Sequence, residues 1–202
     1  MYQPSTILIC LLISQLLFTQ KKENEEPLIT FTLEVNGEKH NIKDGQSLLI
    51  NGNKIKVKSS NVKTFDFGSL TFDYPRHFAF ECTKEDEFKN WTLDGNSFVI
   101  TYFKYELDVS LEAFVSEMVQ LFKEENCEVV DKEIKFGDST YFGKRILISL
   151  FGEKLTYDIY EIETDDLQTH LIGFQDSKND DGSDSKEGIN TIRLIDESIK
   201  IK

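Results

Sequence analysis

The sequence is poor in the residues that most often announce chemistry. Its 202 residues include three histidines, three cysteines, three prolines and one tryptophan. His40, His77 and His170 stand far apart and form no H-x-x-x-H pattern, so no metal or acid–base centre is written along the chain. The cysteines form no C-x-x-C, which removes dithiol redox and zinc-ribbon classes. Neither G-x-x-x-x-G-K-[ST] nor G-x-G-x-x-G occurs, so there is no phosphate loop and no cofactor is implied; G-x-S-x-G is missing as well. Positive charge is also short: 23 Lys and Arg face 36 Asp and Glu, a net charge of -13. A chain this acidic repels nucleic-acid phosphate and anionic lipid. That argues against nucleic-acid and peripheral-membrane roles and is compatible with a basic or apolar partner, beside the plainer reading of an acidic surface kept for solubility alone.

What is present is core material. Hydrophobic residues make up 39% of the chain, and the sixteen phenylalanines lie mostly in short alternating runs, where a sheet buries them. One longer apolar run, residues 7–18, sits in an uncharged first twenty residues and is followed by the polar stretch 21–27. Its length suits the apolar region of a signal peptide and is short for a membrane span. The ending Leu17-Phe18-Thr19-Gln20 resembles export signals of Bacteroidetes bacteria. No basic residue precedes the run, and Lys21 and Lys22 follow it, so a retained N-terminal anchor is the alternative. The expectation is a signal at 1–20, a linker at 21–27, and a periplasmic or secreted product.

Loss of such a signal takes Cys10 with it and leaves Cys82 and Cys127. An even pair in an oxidising compartment allows a disulfide. Two separate buried thiols is the reading favoured here. The sequon Asn90-Trp91-Thr92 has meaning only in a eukaryotic host.

Turn signals at Asn36-Gly37, Lys43-Asp44-Gly45 and Asn51-Gly52 divide 28–60 into four short alternating runs, which predicts a β-meander. From 61 to 202 a second domain is expected. Phe65 and Phe67, then Leu70, Phe72 and Tyr74, alternate toward Pro75. Strand text also marks 77–82, 91–93 and 97–105. Leu111, Phe114, Val115, Met118, Leu121 and Phe122 recur at helical spacing, with Asp108 or Ser110 as cap. Strands at 127–134, 140–150, 154–163 and 167–174 follow, then a helix with Ile192, Ile195 and Ile199 on one side.

The polar stretch 175–188 holds the one metal-like text. Asp176, Asp180, Asp181, Asp184 and Glu187 offer oxygen ligands for Ca²⁺, but the EF-hand spacing fails: with Gly182 at the sixth position, Gly188 stands at the twelfth in place of Glu. A disordered acidic loop is the reading preferred. No residue is assigned as catalytic.

The order Phe72-Asp73-Tyr74-Pro75, a hairpin, a helix opening Ser110-Leu111-Glu112, consecutive strands and a closing helix resembles the Mog1/PsbP-like domains over 68–199. The resemblance implies an α+β fold, an antiparallel sheet covered by helices, here preceded by the small β-meander. Members of that group mostly bind a protein or assist an assembly, so it implies a non-enzymatic binding module. Two rivals stand beside this: an intracellular chaperone or immunity-type binder of the same fold, and an unrecognised hydrolase.

Overall fold

A computed structural model describes residues 30–201, apart from Asp86 and Leu167. The expected signal and linker therefore lie outside the described residues. The chain divides after Ser60 into two compact units.

In the first unit the turn chemistry sets the pairing. β1 (Thr30–Val35) and β2 (Glu38–Lys43) form one antiparallel hairpin, and β3 (Ser47–Ile50) and β4 (Asn53–Lys56) form another. Asn36 and Gly37 have φ of 53° and 85°, and Asn51 and Gly52 have 49° and 78°. Positive φ at both central residues twists a two-residue turn the way a hairpin needs, and Asn and Gly tolerate it best. The expected four-strand meander is corrected here: these are two separate two-stranded sheets. The Lys43-Asp44-Gly45 corner does not continue a ladder. Instead the Asp44 carboxylate accepts from the backbone N–H of Ser59 (2.7 Å) and from its hydroxyl, and Gly45 N–H donates to Val57 O (2.9 Å).

The second unit is built on a seven-stranded antiparallel sheet. Its order is β10 (Cys127–Phe136), β11 (Ser139–Leu150), β12 (Glu153–Glu161), β13 (Thr169–Ser177), β9 (Phe98–Tyr105), β8 (Phe88–Asp94) and β7 (Ala79–Lys84). The central strands are buried on both faces, which is why β9 reads Phe-Val-Ile-Thr-Tyr-Phe without strict alternation.

Each face has its own cover. Helix α1 (Leu111–Phe122) packs on β11 and β12 and buries Leu111, Phe114, Val115 and Met118 against Phe103, Ile146, Ile159 and Leu171. Ser110 caps it, its hydroxyl accepting from Ala113 N–H (3.2 Å). The opposite face is covered by a second sheet, β5 (Val62–Phe67), β6 (Leu70–Pro75) and β14 (Lys200–Ile201), together with helix α2 (Lys186–Ser198). Phe65, Leu70, Phe72 and Tyr74 from that sheet meet Trp91, Leu93 and Tyr102 of the large one.

The expected fold class is thereby corrected. The protein is predominantly antiparallel β, with fourteen strands and two short helices among the described residues. One face is roofed mainly by strands. The physical reason is the run from Phe65 to Tyr74: its alternation makes a hairpin with one fully apolar side, and that side does the covering a helix was expected to do.

Candidate functional site

A groove of about 390 Å³ opens on the face that carries α2. Strand register fixes its floor. Arg145 on β11 stands directly opposite Asp158 on β12, and Asp158 opposite Phe174 on β13. The guanidinium binds the carboxylate in both positions, Nε to Oδ1 at 2.6 Å and Nη2 to Oδ2 at 2.7 Å. Hydrogen bonding to Asp158, against the opposing effect of burial, raises the Arg145 pKa further. Nη1 keeps no partner among the described residues. Ile189 and Ile192 of α2 form one wall, and Ile134 and Lys132 of β10 the other.

Two buried polar groups line the same space. Asp176 Oδ2 accepts from Ser185 N–H (3.0 Å) and Lys178 Nζ (3.3 Å), while Oδ1 has no partner. The carboxylate sits under the N-terminus of α2, where the exposed helix N–H dipoles favour negative charge. Tyr160 makes no hydrogen bond of normal geometry, yet its pKa is driven well up, first by burial and then by the nearby Asp158 carboxylate. Gly188 lets the helix approach: a Cβ there would stand 2.8 Å from Phe98 Cδ2 and 2.9 Å from Asp176 Oδ1.

The acidic stretch does not assemble into a cation site. Asp176 and Asp184 both hold Lys178, a cation supplied by the chain itself. Asp181 accepts from Ser183 N–H (2.9 Å) and hydroxyl (2.6 Å), and Asp180 is exposed. Glu187 faces away from the others: it accepts from the backbone N–H groups of Asn96, Ser97 and Phe98 and from His77. Among the described residues no cluster of three His, Cys, Asp or Glu is placed to hold a metal. The segment is also no disordered loop, since these bonds tie it to the β8–β9 turn and to the start of α2.

The cysteines are not brought together. Cys82 lies on β7 and Cys127 on β10, the two opposite edges of the sheet, and both are free. Six strand spacings separate them, on the order of 29 Å, against the roughly 7 Å limit for a disulfide. Cys82 is exposed rather than buried. Asn90, the acceptor of the sequon, is buried within β8.

A buried polar chain on β9 and β13 had no mark in the sequence. His170 Nδ1 accepts from Tyr102 Oη (2.5 Å), and its Nε2–H donates to Asp166 (2.7 Å). Desolvation opposes ionisation of Asp166, but hydrogen bonds from Lys104, Thr164 and His170 outweigh it and hold the carboxyl well below its ordinary range. Burial pushes Tyr102 up to about 12. Both Tyr102 and His170 are closed to solvent, so the chain satisfies core groups rather than presenting them. Its signal was register: only the pairing of β9 with β13 sets Lys104 opposite His170.

No family model matches the chain, and no curated protein matches it. Among solved structures, a Bacteroides thetaiotaomicron protein overlaps with 71% of this chain and 49% of its own, at 11% identity and a TM-score of 0.43. This chain thus spans about half the length of that protein. LpqN of Mycobacterium tuberculosis, involved in cell envelope biogenesis, overlaps over 71% of this chain and 92% of its own (15% identity, TM-score 0.37). TplEi of Pseudomonas aeruginosa, a type VI secretion immunity protein solved with a peptide, overlaps over 86% and 71% (14% identity, TM-score 0.36). None of the three carries a Mog1 or PsbP name, and at such low identities and scores none assigns a function to this chain.

Proposed function

We propose that this chain is an exported protein-binding module and that the groove beside α2 is a contact surface for its partner. The observation that carries the reading is the composition of the groove. A rigidly paired arginine lies in its floor, Ile189 on its wall is 56% exposed, and Val130 and Leu147 on the same sheet face are 38% and 37% exposed. Arginine is enriched in binding hot spots, and exposed apolar side chains grouped beside it are a mark of interaction surfaces. The Asp158 clamp fixes the guanidinium beforehand, so little side-chain freedom is lost on contact. Export rests on the apolar run at 7–18 and the polar stretch after it. No helix among the described residues is long and apolar enough to cross a membrane.

The test is isolation of the tagged full chain from its host, comparing wild type with Ile189→Asp and with Phe151→Asp, a matched change at a 95% exposed hairpin turn. The expected result is a partner kept by wild type and Phe151→Asp and lost by Ile189→Asp. The same set of proteins from all three would remove the groove from the account.

A further inference from the structure

A second surface lies at the far edge of the large sheet. β7 is bonded to β8 on one side, and its other side has no strand partner among the described residues. Five of its six residues are exposed and the sixth is half-buried. A row of unpaired backbone N–H and C=O groups is a template for one more strand, and proteins usually blunt it with charge. The opposite edge, β10, is blunted in this way by Glu128, Asp131, Lys132, Glu133 and Lys135. β7 has only Glu81 and Lys84.

Register shows what such a strand would meet. Phe80 lies opposite Leu93, Cys82 opposite Trp91 and Lys84 opposite Lys89, so Phe80, Cys82 and Lys84 share one face of the sheet. At the Phe80 end the face is aromatic and open. Phe67 and Phe80 are 43% and 41% exposed with ring centroids 5.4 Å apart, and Phe67 stacks on Trp91 at 5.9 Å. At the other end it is basic. Lys84, Lys89 and Lys104 stand directly opposite one another across β7, β8 and β9. Like charges so placed are destabilising. Asp166 neutralises Lys104 at 3.0 Å, whereas no carboxylate pairs with Lys84 or Lys89 among the described residues. In a chain of net charge -13 this row is a local exception, and it calls for an anion from outside.

We infer that β7 is a strand-addition site for an extended segment of a partner protein, one that sets two apolar residues beside Phe80 and Cys82 and a carboxylate beside Lys84. Main-chain hydrogen bonds along the edge supply binding, and the alternate side chains supply the choice of partner. The neighbouring positions face Glu81 and Thr83, where a basic and a small polar residue fit. Read antiparallel to β7, the pattern is Glu-Thr-Ile-Lys-Ile. A second copy of this chain is the less suited occupant, because association brings together two strongly acidic molecules.

The experiment uses the full chain and a fluorescein-labelled peptide, Ser-Gly-Glu-Thr-Ile-Lys-Ile-Gly-Ser, read by fluorescence anisotropy and by amide hydrogen exchange. Saturable binding with slowed exchange in residues 79–84 is expected. The same peptide with alternate backbone amides N-methylated should bind at least tenfold more weakly. Lys84→Glu, at an exposed site, should weaken binding at least threefold, and changing the peptide's Glu to Lys should partly restore it. Ile189→Asp should leave it unchanged, so failure here is separable from failure of the groove. Equal affinity for the N-methylated peptide, no effect of Lys84→Glu, or loss of binding in Ile189→Asp would each overturn the inference. Protection of 79–84 that rises with protein concentration and ignores the peptide would make a second copy the occupant and would also overturn it.

Discussion

At the scale of single residues, two positions near the start of α2 bear on how the helix is seated. Gly188 is the first. An alanine there gains about 1 kcal/mol of helix propensity, but its Cβ meets the ring of Phe98 and the held carboxylate of Asp176 at under 3 Å. Overpacking of that kind costs about 1–3 kcal/mol. Gly188→Ala should therefore destabilise the protein by up to about 2 kcal/mol in urea denaturation, despite the better helix former. Glu187 is the second. Burial acts to raise its pKa, but hydrogen bonds from His77, the Ser97 N–H, Asn96 and the Ser97 hydroxyl outweigh it, so the carboxyl is lowered from 4.5. A lowered native pKa means the native state holds the proton less tightly than the unfolded chain. The stabilisation is thus complete above the unfolded value and is lost as pH falls from about 4.5 through the native one. Glu187→Gln should cost about 1–3 kcal/mol at pH 7 and flatten this part of the acid limb. An unchanged acid profile in the variant would show that other carboxyls govern it.

At the scale of elements, α1 shows how a local pattern survives into the fold. Its apolar stripe and its Ser110 cap were both legible, because a 3.6-residue period and a capping hydroxyl act within a few residues of sequence. Phe114 is 6% exposed, and Phe114→Ala should cost about 3–5 kcal/mol; a loss below about 1 kcal/mol would place that stripe at the surface. The Asn36-Gly37 and Asn51-Gly52 turns were legible for the same reason. What failed was non-local. Nothing around Lys43-Asp44-Gly45 told that β2 and β3 would part into separate sheets. The alternation from Phe65 to Tyr74 marked strands but not that they would form a second layer. The groove was the least legible feature. Arg145 and Asp158 are thirteen residues apart and meet only because β11 and β12 pair in one register, while in the acidic text at 176–187 Asp176 and Asp184 hold Lys178 and Glu187 is taken up by the β8–β9 turn.

For the molecule as a whole, strand order places its reactive and sticky groups at separate edges. Cys82 and Cys127 lie at opposite ends of the seven strands, so no intramolecular disulfide should form between them under oxidising conditions. With a thiol-reactive dye Cys82 should label quickly in the native state. Cys127 should lag, since it is partly covered and its thiol is pushed up by burial and then by Glu125. Recovery of a Cys82–Cys127 peptide after non-reducing digestion would contradict the strand order itself. The same order leaves the groove, with its clamped arginine and its open Ile189, near one end of the sheet on the face that α1 does not cover. The claim that this groove meets a partner protein is tested most directly by photo-crosslinking in the host, with benzoylphenylalanine placed at Ile189 and, as the control, at Glu112 on α1. A discrete covalent adduct of defined mass is expected at Ile189 and none at Glu112; an adduct of equal yield at both positions, or none at Ile189, would rule the groove out as a contact surface.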